Sequence, residues 1–344
     1  MRSNRAPSFL QHPPDVPILD VRSPGEFEQG HIPGARNLPL FDNEERAEIG
    51  TIYKQQGREQ AVERGLEIVG PKLAGMVRQA KAWAPEGQLR LHCWRGGMRS
   101  ESVGWLLERA GLAVTLLEGG YKAYRRQVLA ELDWAGPLLI LGGATGSGKT
   151  ELLHQLAALG EQVVDLEGMA HHKGSSFGGL GQLPQPSSEH FANRLHQALS
   201  RLDPQRPVWV EDESITIGRV HIPEPFWERM KKAPVVVITV PDEERIERLV
   251  NDYGEQDHGE LVAAFERIQK RLGGQNLKEA LAALQEGDYA TAARIALRYY
   301  DRAYARGIEQ RKPSQVLSID LVPIAREQRP SALIHLYPSN HSQP

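Results

Sequence analysis

Leu138-Leu139-Ile140-Leu141-Gly142-Gly143-Ala144-Thr145-Gly146-Ser147-Gly148-Lys149-Thr150 is the stretch on which the fold turns. Four consecutive apolar residues read as a strand buried on both faces, and the strand runs directly into a glycine loop. Leu152, Leu153, Leu156 and Leu159 then mark one face of a helix that stops at Gly160. Strand, Gly-(four residues)-Gly-Lys-Thr, then helix is the order that a phosphate cradle requires. The backbone N–H groups from Gly143 through Thr145, Gly146, Ser147 and Gly148 would hold a diphosphate. Lys149 would neutralise it, and Thr150 could reach a Mg²⁺ ion. The pattern does not name the anion: a nucleotide is the default, and any diphosphate satisfies the geometry.

Downstream, Gln162-Val163-Val164-Asp165-Leu166-Glu167 and Pro207-Val208-Trp209-Val210-Glu211-Asp212 read as strands ending in carboxylates. Val235 to Val240 is a third, followed by a helix from Pro241 to Val250. Apolar strands alternating with helices predict a mostly parallel sheet covered on both faces, with ligands at the strand C-terminal ends. Asp212 or Glu211 could hold a metal beside the loop. Asp165 and Glu167 read equally well as functional carboxylates or as a helix cap or surface charge. The run His171-His172-Lys173-Gly174-Ser175-Ser176-Phe177-Gly178-Gly179 lacks metal-ligand spacing and reads as a glycine-rich substrate loop. No resident metal is expected of the protein side chains.

Working back towards the N-terminus, the only cysteine of 344 residues lies in His92-Cys93-Trp94-Arg95-Gly96-Gly97-Met98-Arg99-Ser100. A strand over Gln88–His92, apolar at 89, 91 and 93, delivers Cys93 to its C-terminal edge. Val103, Leu106, Leu107 and Ala110 then recur at helical spacing up to Gly111. Loop N–H groups and the first helical turn would point at the sulfur, and Arg95 and Arg99 add positive charge, so the site favours anions. A free cysteine is more often a buried packing residue. Two arginines and two glycines in a strand-to-helix turn favour a reactive one. Strand-like Val16–Val21 and a helix from about Pro71 to Trp83 complete a small α/β pattern, with polar residues 42–70 looking inserted.

Composition sets limits. Forty percent hydrophobic and 25% charged residues are those of an ordinary globular chain. One cysteine rules out an internal disulfide framework and fits a reducing cytoplasm. No signal-like segment and no run near the roughly 20 apolar residues of a membrane helix is visible. A net charge of −3 gives no global sign of nucleic-acid binding, so an RNA site would be a local patch. Such a patch appears beyond Gly259, where the pattern turns helical. Arg267, Lys270 and Arg271 close one segment, and Arg294, Arg298, Arg302 and Arg306 recur every fourth residue with Tyr299, Tyr300 and Tyr304 interleaved. The stripe reads either as phosphate and base contacts on RNA or as a solvated face over tyrosines in the core. Residues 338–344 read as a frayed tail.

Asp20-Val21-Arg22, Glu26-Phe27, Gly30-His31-Ile32-Pro33-Gly34-Ala35, Cys93 and Leu117-Glu118-Gly119-Gly120-Tyr121 resemble the rhodanese domain family, in which the cysteine carries a persulfide sulfur. The arginine falls one residue later than in the ordinary sulfurtransferase loop. Cys93-(five residues)-Arg99 is instead the spacing of cysteine phosphatases, which suits a phosphate-sized oxyanion. Adding Gly146–Thr150, Gly174-Ser175-Ser176-Phe177-Gly178, Glu211-Asp212-Glu213-Ser214 and Tyr299-Tyr300-Asp301, the whole chain resembles the tRNA 2-selenouridine synthase family, a rhodanese domain fused to a P-loop domain.

That resemblance implies an α/β fold: a rhodanese-like domain over 1–132, a P-loop NTPase-like, mostly parallel domain over 133–258, and a helical C-terminal region over 259–344 packed on it. It implies a cytoplasmic transferase that places a geranyl group from geranyl diphosphate on wobble 2-thiouridine of tRNA, then replaces the sulfur with selenium from selenophosphate. Cys93, Arg95 and Arg99 are then expected to be catalytic, and the loop from Gly143 to Thr150 to bind the diphosphate, with Mg²⁺ as an optional companion. Ser175, Ser176, Phe177, Asp212 and Glu213 would form the substrate loop, and Arg267, Arg271, Arg294, Arg298 and Tyr299 would contact tRNA. The rival readings are a cysteine phosphatase or sulfurtransferase regulated by a nucleotide, a P-loop kinase, and a non-enzymatic RNA-binding module.

Overall fold

The computed structural model describes residues 2–11 and 15–336, so the expected tail at 338–344 lies outside the described residues. Two compact units are present: Met1–Glu131 with Ala192–Arg194, and Leu132–Phe191 with Leu195–Pro344. Among the described residues no helix is long and apolar enough to cross a membrane.

The sheet of the first unit contains β1 (Arg2–Asn4), β2 (Ile18–Asp20), β3 (Arg36–Asn37), β4 (Gln88–His92) and β5 (Ala113–Leu117), in the order β1-β5-β4-β2-β3. Every pairing in it is parallel. Leu19, Leu89, Leu91, Val103, Leu107 and Val114 form its core together with Cys93. Strand β4 is buried on both faces rather than alternating, because Arg90 is also covered. The Arg90 guanidinium donates to Phe9 O at 2.9 Å and Val16 O at 3.1 Å, which satisfies the charge it brings inside. The polar insertion at 42–70 is a pair of helices, Asn43–Gln55 and Arg58–Val69, the first opened by an Asp42–Glu45 capping box.

The second unit carries β6 (Leu138–Gly143), β7 (Gln162–Val164), β8 (Val208–Glu211), a small antiparallel pair β9 (Thr216–Ile217) and β10 (Val220–His221), then β11 (Val235–Thr239) and β12 (Val316–Asp320). Its main sheet runs β12-β11-β6-β8-β7, all parallel. Leu139, Leu141, Leu152, Leu153, Leu156, Trp209 and Ile238 fill one side of it. The C-terminal region is mainly helical, as expected, and also supplies one strand: β12 pairs with β11, register Val235 opposite Val316. Its half-exposed edge position removes the apolar run that marks central strands. The remaining helices, among them His258–Arg267, Gly274–Gln285 and Tyr289–Glu309, bury Leu261, Phe265, Leu277 and Ile295 around a second core.

Candidate active site

In the first unit, the loop after β4 is shaped by close backbone approach. Gly120, at φ +61°, lies so near that a Cβ on it would come 2.4 Å from Gly96 N and 2.5 Å from Cys93 O. Tyr121 N donates to Cys93 O and Lys122 N to Trp94 O, both at 2.9 Å, so the Gly119-Gly120-Tyr121 motif braces the cysteine loop. The Asp20-Val21-Arg22 motif meets it from beneath. Arg22 Nε donates to Asp20 Oδ2 at 2.9 Å, and the guanidinium carbon sits 3.8 Å from the Tyr121 ring centroid. Burial would raise the Asp20 carboxyl, but His92 and Arg22 outweigh it and hold it below the usual carboxylate range. Burial pushes His92 down against the opposing pull of Asp20, whose Oδ2 lies 3.8 Å from its Nε2.

Cys93 Sγ lies 3.2 Å from Ser100 Oγ, and Ser100 also donates to Gly97 O at 3.1 Å. One hydroxyl proton thus serves either the carbonyl or the sulfur. Arg95 is exposed at the loop. Arg99 Nη1 donates to Glu26 Oε2 at 2.8 Å. Burial works against ionisation of Glu26, and the Arg99 bond and charge outweigh it, so the carboxyl sits below its ordinary value. Beyond the loop a cavity of about 1360 Å³ opens, lined by Phe41, Ile49, Leu66, Trp94, Trp105 and Arg99 among others.

In the second unit, Gly146 and Gly148 adopt φ +79° and +81°, the left-handed conformation that lets the loop turn inward. The helix Lys149–Ala158 starts directly from it, and Lys149 Nζ donates to Gly143 O at 2.9 Å. Thr150 Oγ1 donates to Glu167 Oε2 at 2.8 Å. A cleft of about 790 Å³ is lined by Thr145, Gly146, Gly148, Lys149, Thr150, Glu167, Ser175, Asp212 and Glu213. Burial, and then the neighbouring Glu167 charge, push Glu213 well above the ordinary carboxylate value. Glu211 is raised for the same first reason, with Asp165 and Glu167 adding to it. Its Oε2 accepts Leu166 N at 2.9 Å.

The residues expected of a substrate loop divide. Ser175 faces the cleft, Ser176 Oγ donates to Ala264 O at 3.1 Å, and Phe177 turns into the helical core 4.9 Å from the Phe265 ring. Asp212 is paired with Arg311, whose Nη2 donates to Oδ1 at 2.6 Å. Of the basic residues, Arg294 and Arg298 are exposed on Tyr289–Glu309. Arg267 Nη2 donates to Ser176 O at 2.9 Å and Arg271 Nη1 to Tyr299 Oη at 3.2 Å. Tyr299 and Tyr300 pack against the helical core.

Sequence reasoning missed several residues that shape the cleft. Arg248 Nη1 donates to Gly146 O at 2.7 Å, and its guanidinium lies where a Cβ on Gly148 would stand. Arg245 Nε donates to Thr145 O at 2.9 Å and pairs with Asp301, which gives the Tyr299-Tyr300-Asp301 motif its work. The two carboxylates read as either functional or capping divide: Glu167 accepts from Thr150, and Asp165 is the cap of Leu166–Ala170. A small apolar recess of about 50 Å³ opens between Thr145, Ser175, Leu249 and Tyr253.

Residues 136–322 match the model of the tRNA 2-selenouridine synthase AAA domain, and residues 8–127 match the rhodanese-like domain. The chain is 38% identical over 346 residues to the tRNA 2-selenouridine synthase of Aeromonas salmonicida, covering 88% of this chain and 90% of that one. It is 38% identical to that of Shewanella piezotolerans, covering 86% and 90%, and 36% identical to that of Marinobacter nauticus, covering 87% and 90%. Rhodanese-like unit, P-loop unit and near-complete coverage of these relatives agree, and the chain belongs to the tRNA 2-selenouridine synthase family.

Proposed function

We propose that this protein replaces sulfur with selenium in the wobble 2-thiouridine of cytoplasmic tRNA, in two chemical steps that use its two anion sites. The observation that carries the reading is the pairing in one chain of a thiol-bearing anion loop with a lysine-bearing phosphate cradle. A thione is a poor leaving group, whereas its S-alkyl derivative departs as a thiol, so alkylation must come first.

In the first step the wobble sulfur attacks C1 of geranyl diphosphate. The C–S bond forms, the C–O bond breaks, diphosphate leaves, and the nucleobase loses its N3 proton. Lys149 and the N–H groups between Gly143 and Thr150 hold the diphosphate and stabilise its charge as it departs. Thr150 and Glu167 offer a hydroxyl and a carboxylate, the oxygen donors a hard divalent cation takes, and the buried Ser147 hydroxyl has no hydrogen-bond partner among the described residues. Mg²⁺ held there would neutralise further charge on the diphosphate.

In the second step the selenium of selenophosphate bonds to C2 and geranylthiolate leaves with the C–S electron pair, taking a proton. Water then accepts the phosphoryl group from selenium, releasing phosphate. Cys93, Arg95 and Arg99 hold and guide the selenophosphate, with the loop N–H groups around its oxygens. The exposed Arg294 and Arg298, with Arg267 and Arg271, supply phosphate contacts for the tRNA.

Nucleoside mass spectrometry of thiolated tRNA incubated with the protein, geranyl diphosphate and selenophosphate tests the reading. A geranylated nucleoside with the first donor alone and 2-selenouridine with both are expected. Unchanged 2-thiouridine beside rapid hydrolysis of small phosphate esters or ATP would replace it with the phosphatase or kinase reading.

A further inference from the structure

We infer that the apolar groove beside Cys93 binds the isoprenoid chain of the S-alkylated wobble nucleoside, so that the first unit recognises its RNA substrate by a hydrocarbon tail. The inference rests on the two-step reading above and assigns the second step a specificity site.

The groove is far larger than the chemistry at Cys93 needs. Selenophosphate is a small anion that loop N–H groups and two arginines can satisfy, yet the cavity of about 1360 Å³ extends well past them. Sites for small organic ligands typically span about 300–1,000 Å³. Its walls come from the helices Asn43–Gln55 and Arg58–Val69 and from Met98–Arg109, which follows the cysteine loop. Tyr53, Leu66 and Trp105 on these walls are 60%, 69% and 57% exposed, a cost in water unless a ligand covers them. Further in, Phe41 and Val69 continue the apolar surface into the core.

Charge selects the occupant. Arg46, Lys54, Arg58, Arg95 and Arg99 line the groove beside one lining carboxylate, Glu101, and Glu26 behind them pairs with Arg99 and Arg46, which leaves the groove net positive. An apolar trough edged with cations complements a hydrocarbon chain carried on a polyanion. An S-geranyl nucleoside within tRNA has that form. Bare 2-thiouridine has no group for the trough, and selenophosphate has no apolar part. The apolar recess beside the P-loop is far smaller, about 50 Å³, and the cleft it adjoins is the place of the diphosphate donor. With the tail seated in the groove, C2 of the nucleobase is presented to the loop that holds the selenium donor, and geranylthiolate departs into apolar surroundings.

The test uses two anticodon stem-loop RNAs identical except for S-geranyl- or S-methyl-2-thiouridine at the wobble position. Their binding to the full chain is measured by fluorescence anisotropy for the wild type, Leu66→Asp, Trp105→Asp and Leu66→Met, with circular dichroism as the check of folding. The wild type should bind the geranyl RNA about 10- to 100-fold more tightly than the methyl RNA, from the added burial of several methylene and methyl groups. Both aspartate variants should cut that ratio to about 3-fold or less while leaving the methyl RNA within about 2-fold, and Leu66→Met should keep the preference. With selenophosphate added, kcat/KM should follow the same ratio. Equal binding of the two RNAs by the wild type, or a preference that survives both aspartate substitutions, overturns the inference. Failure of the wild type to make 2-selenouridine from either RNA would instead sink the two-step reading, and a tail preference lost in the variants would still assign the groove.

Discussion

Thr150 donates its hydroxyl to Glu167 Oε2 at 2.8 Å across seventeen residues of sequence. The contact ties the end of the phosphate loop to the short helix Leu166–Ala170, which follows β7, two strands away from β6 in the sheet. It also brings a carboxylate beside the phosphate loop. Glu167→Gln retains a hydrogen-bond acceptor for Thr150 but removes the charge. The rate of S-geranylation should fall about 10-fold at saturating RNA, and Thr150→Ala should fall at least as far, within the range for loss of one electrostatic contact. Raising Mg²⁺ should restore part of the Glu167→Gln loss and none of the Thr150→Ala loss.

Gly120 sits 2.4 to 2.8 Å, measured from where its Cβ would be, from Gly96 N, Cys93 O and Arg95 N, all of them backbone atoms that cannot give way. Gly120→Ala forces a side chain into that space and into φ +61°. The first unit should lose about 2–4 kcal/mol in urea unfolding, from overpacking and left-handed strain together. Selenation should decline more steeply than geranylation, because the displaced atoms belong to the cysteine loop.

Glu211 is buried with one oxygen bonded to Leu166 N and the other without a partner among the described residues, and burial raises its ionisation above the unfolded value. The folded state therefore holds the proton more tightly, and this group's contribution is present at low pH and lost as pH rises through its folded value. Glu211→Gln keeps the acceptor without the charge. At pH 8 the variant should melt about 2–4 °C higher than the wild type, the shift that ~1 kcal/mol produces in a domain of this size. Near pH 4 the two melting curves should coincide, and a constant offset across the range would assign the effect to packing instead.

Arg294 and Arg298 extend from one face of Tyr289–Glu309 without an inward role. Replacing either by alanine should weaken tRNA binding for all thiolated isoacceptors alike. The slope of log K against log salt should become shallower by about 1 for each phosphate contact removed. An unchanged slope would make the stripe a solvated face. Arg271, which donates to Tyr299, should cost helical stability as well as affinity.

The parts of the site that the sequence reveals are the local ones. The run Leu138–Thr150 and the loop Cys93–Ser100 each encode strand, turn and helix within a few residues, where glycine and hydrophobic periodicity are direct physical signals. Arg248 reaches Gly146 from 102 residues away, Arg311 reaches Asp212 from 99, and Arg245 reaches Asp301 from 56. Such arginines look like any surface charge until tertiary packing brings them to the cleft. Strands β1 and β12 were hidden for another reason. Arg2-Ser3-Asn4 is polar, and Val316–Asp320 is a half-exposed edge, so neither shows a buried strand's pattern. The helices of residues 43–69 read as an inserted polar segment because only a few of their apolar residues, such as Val69, reach the core while others line the groove. Phe177 shows the opposite error, an aromatic in a glycine-rich loop that packs inward to anchor it.

The most direct test of the account compares Cys93→Ala with Lys149→Ala, quantifying 2-thiouridine, its S-geranyl derivative and 2-selenouridine in tRNA supplied with both donors. Two separable steps predict that Cys93→Ala accumulates the S-geranyl nucleoside with 2-selenouridine reduced by at least about 100-fold, the scale of losing a central catalytic group. Lys149→Ala should leave 2-thiouridine unmodified but still convert RNA geranylated beforehand. Both variants stalling at 2-thiouridine, or Cys93→Ala forming 2-selenouridine at the wild-type rate, would contradict the assignment of one step to each site.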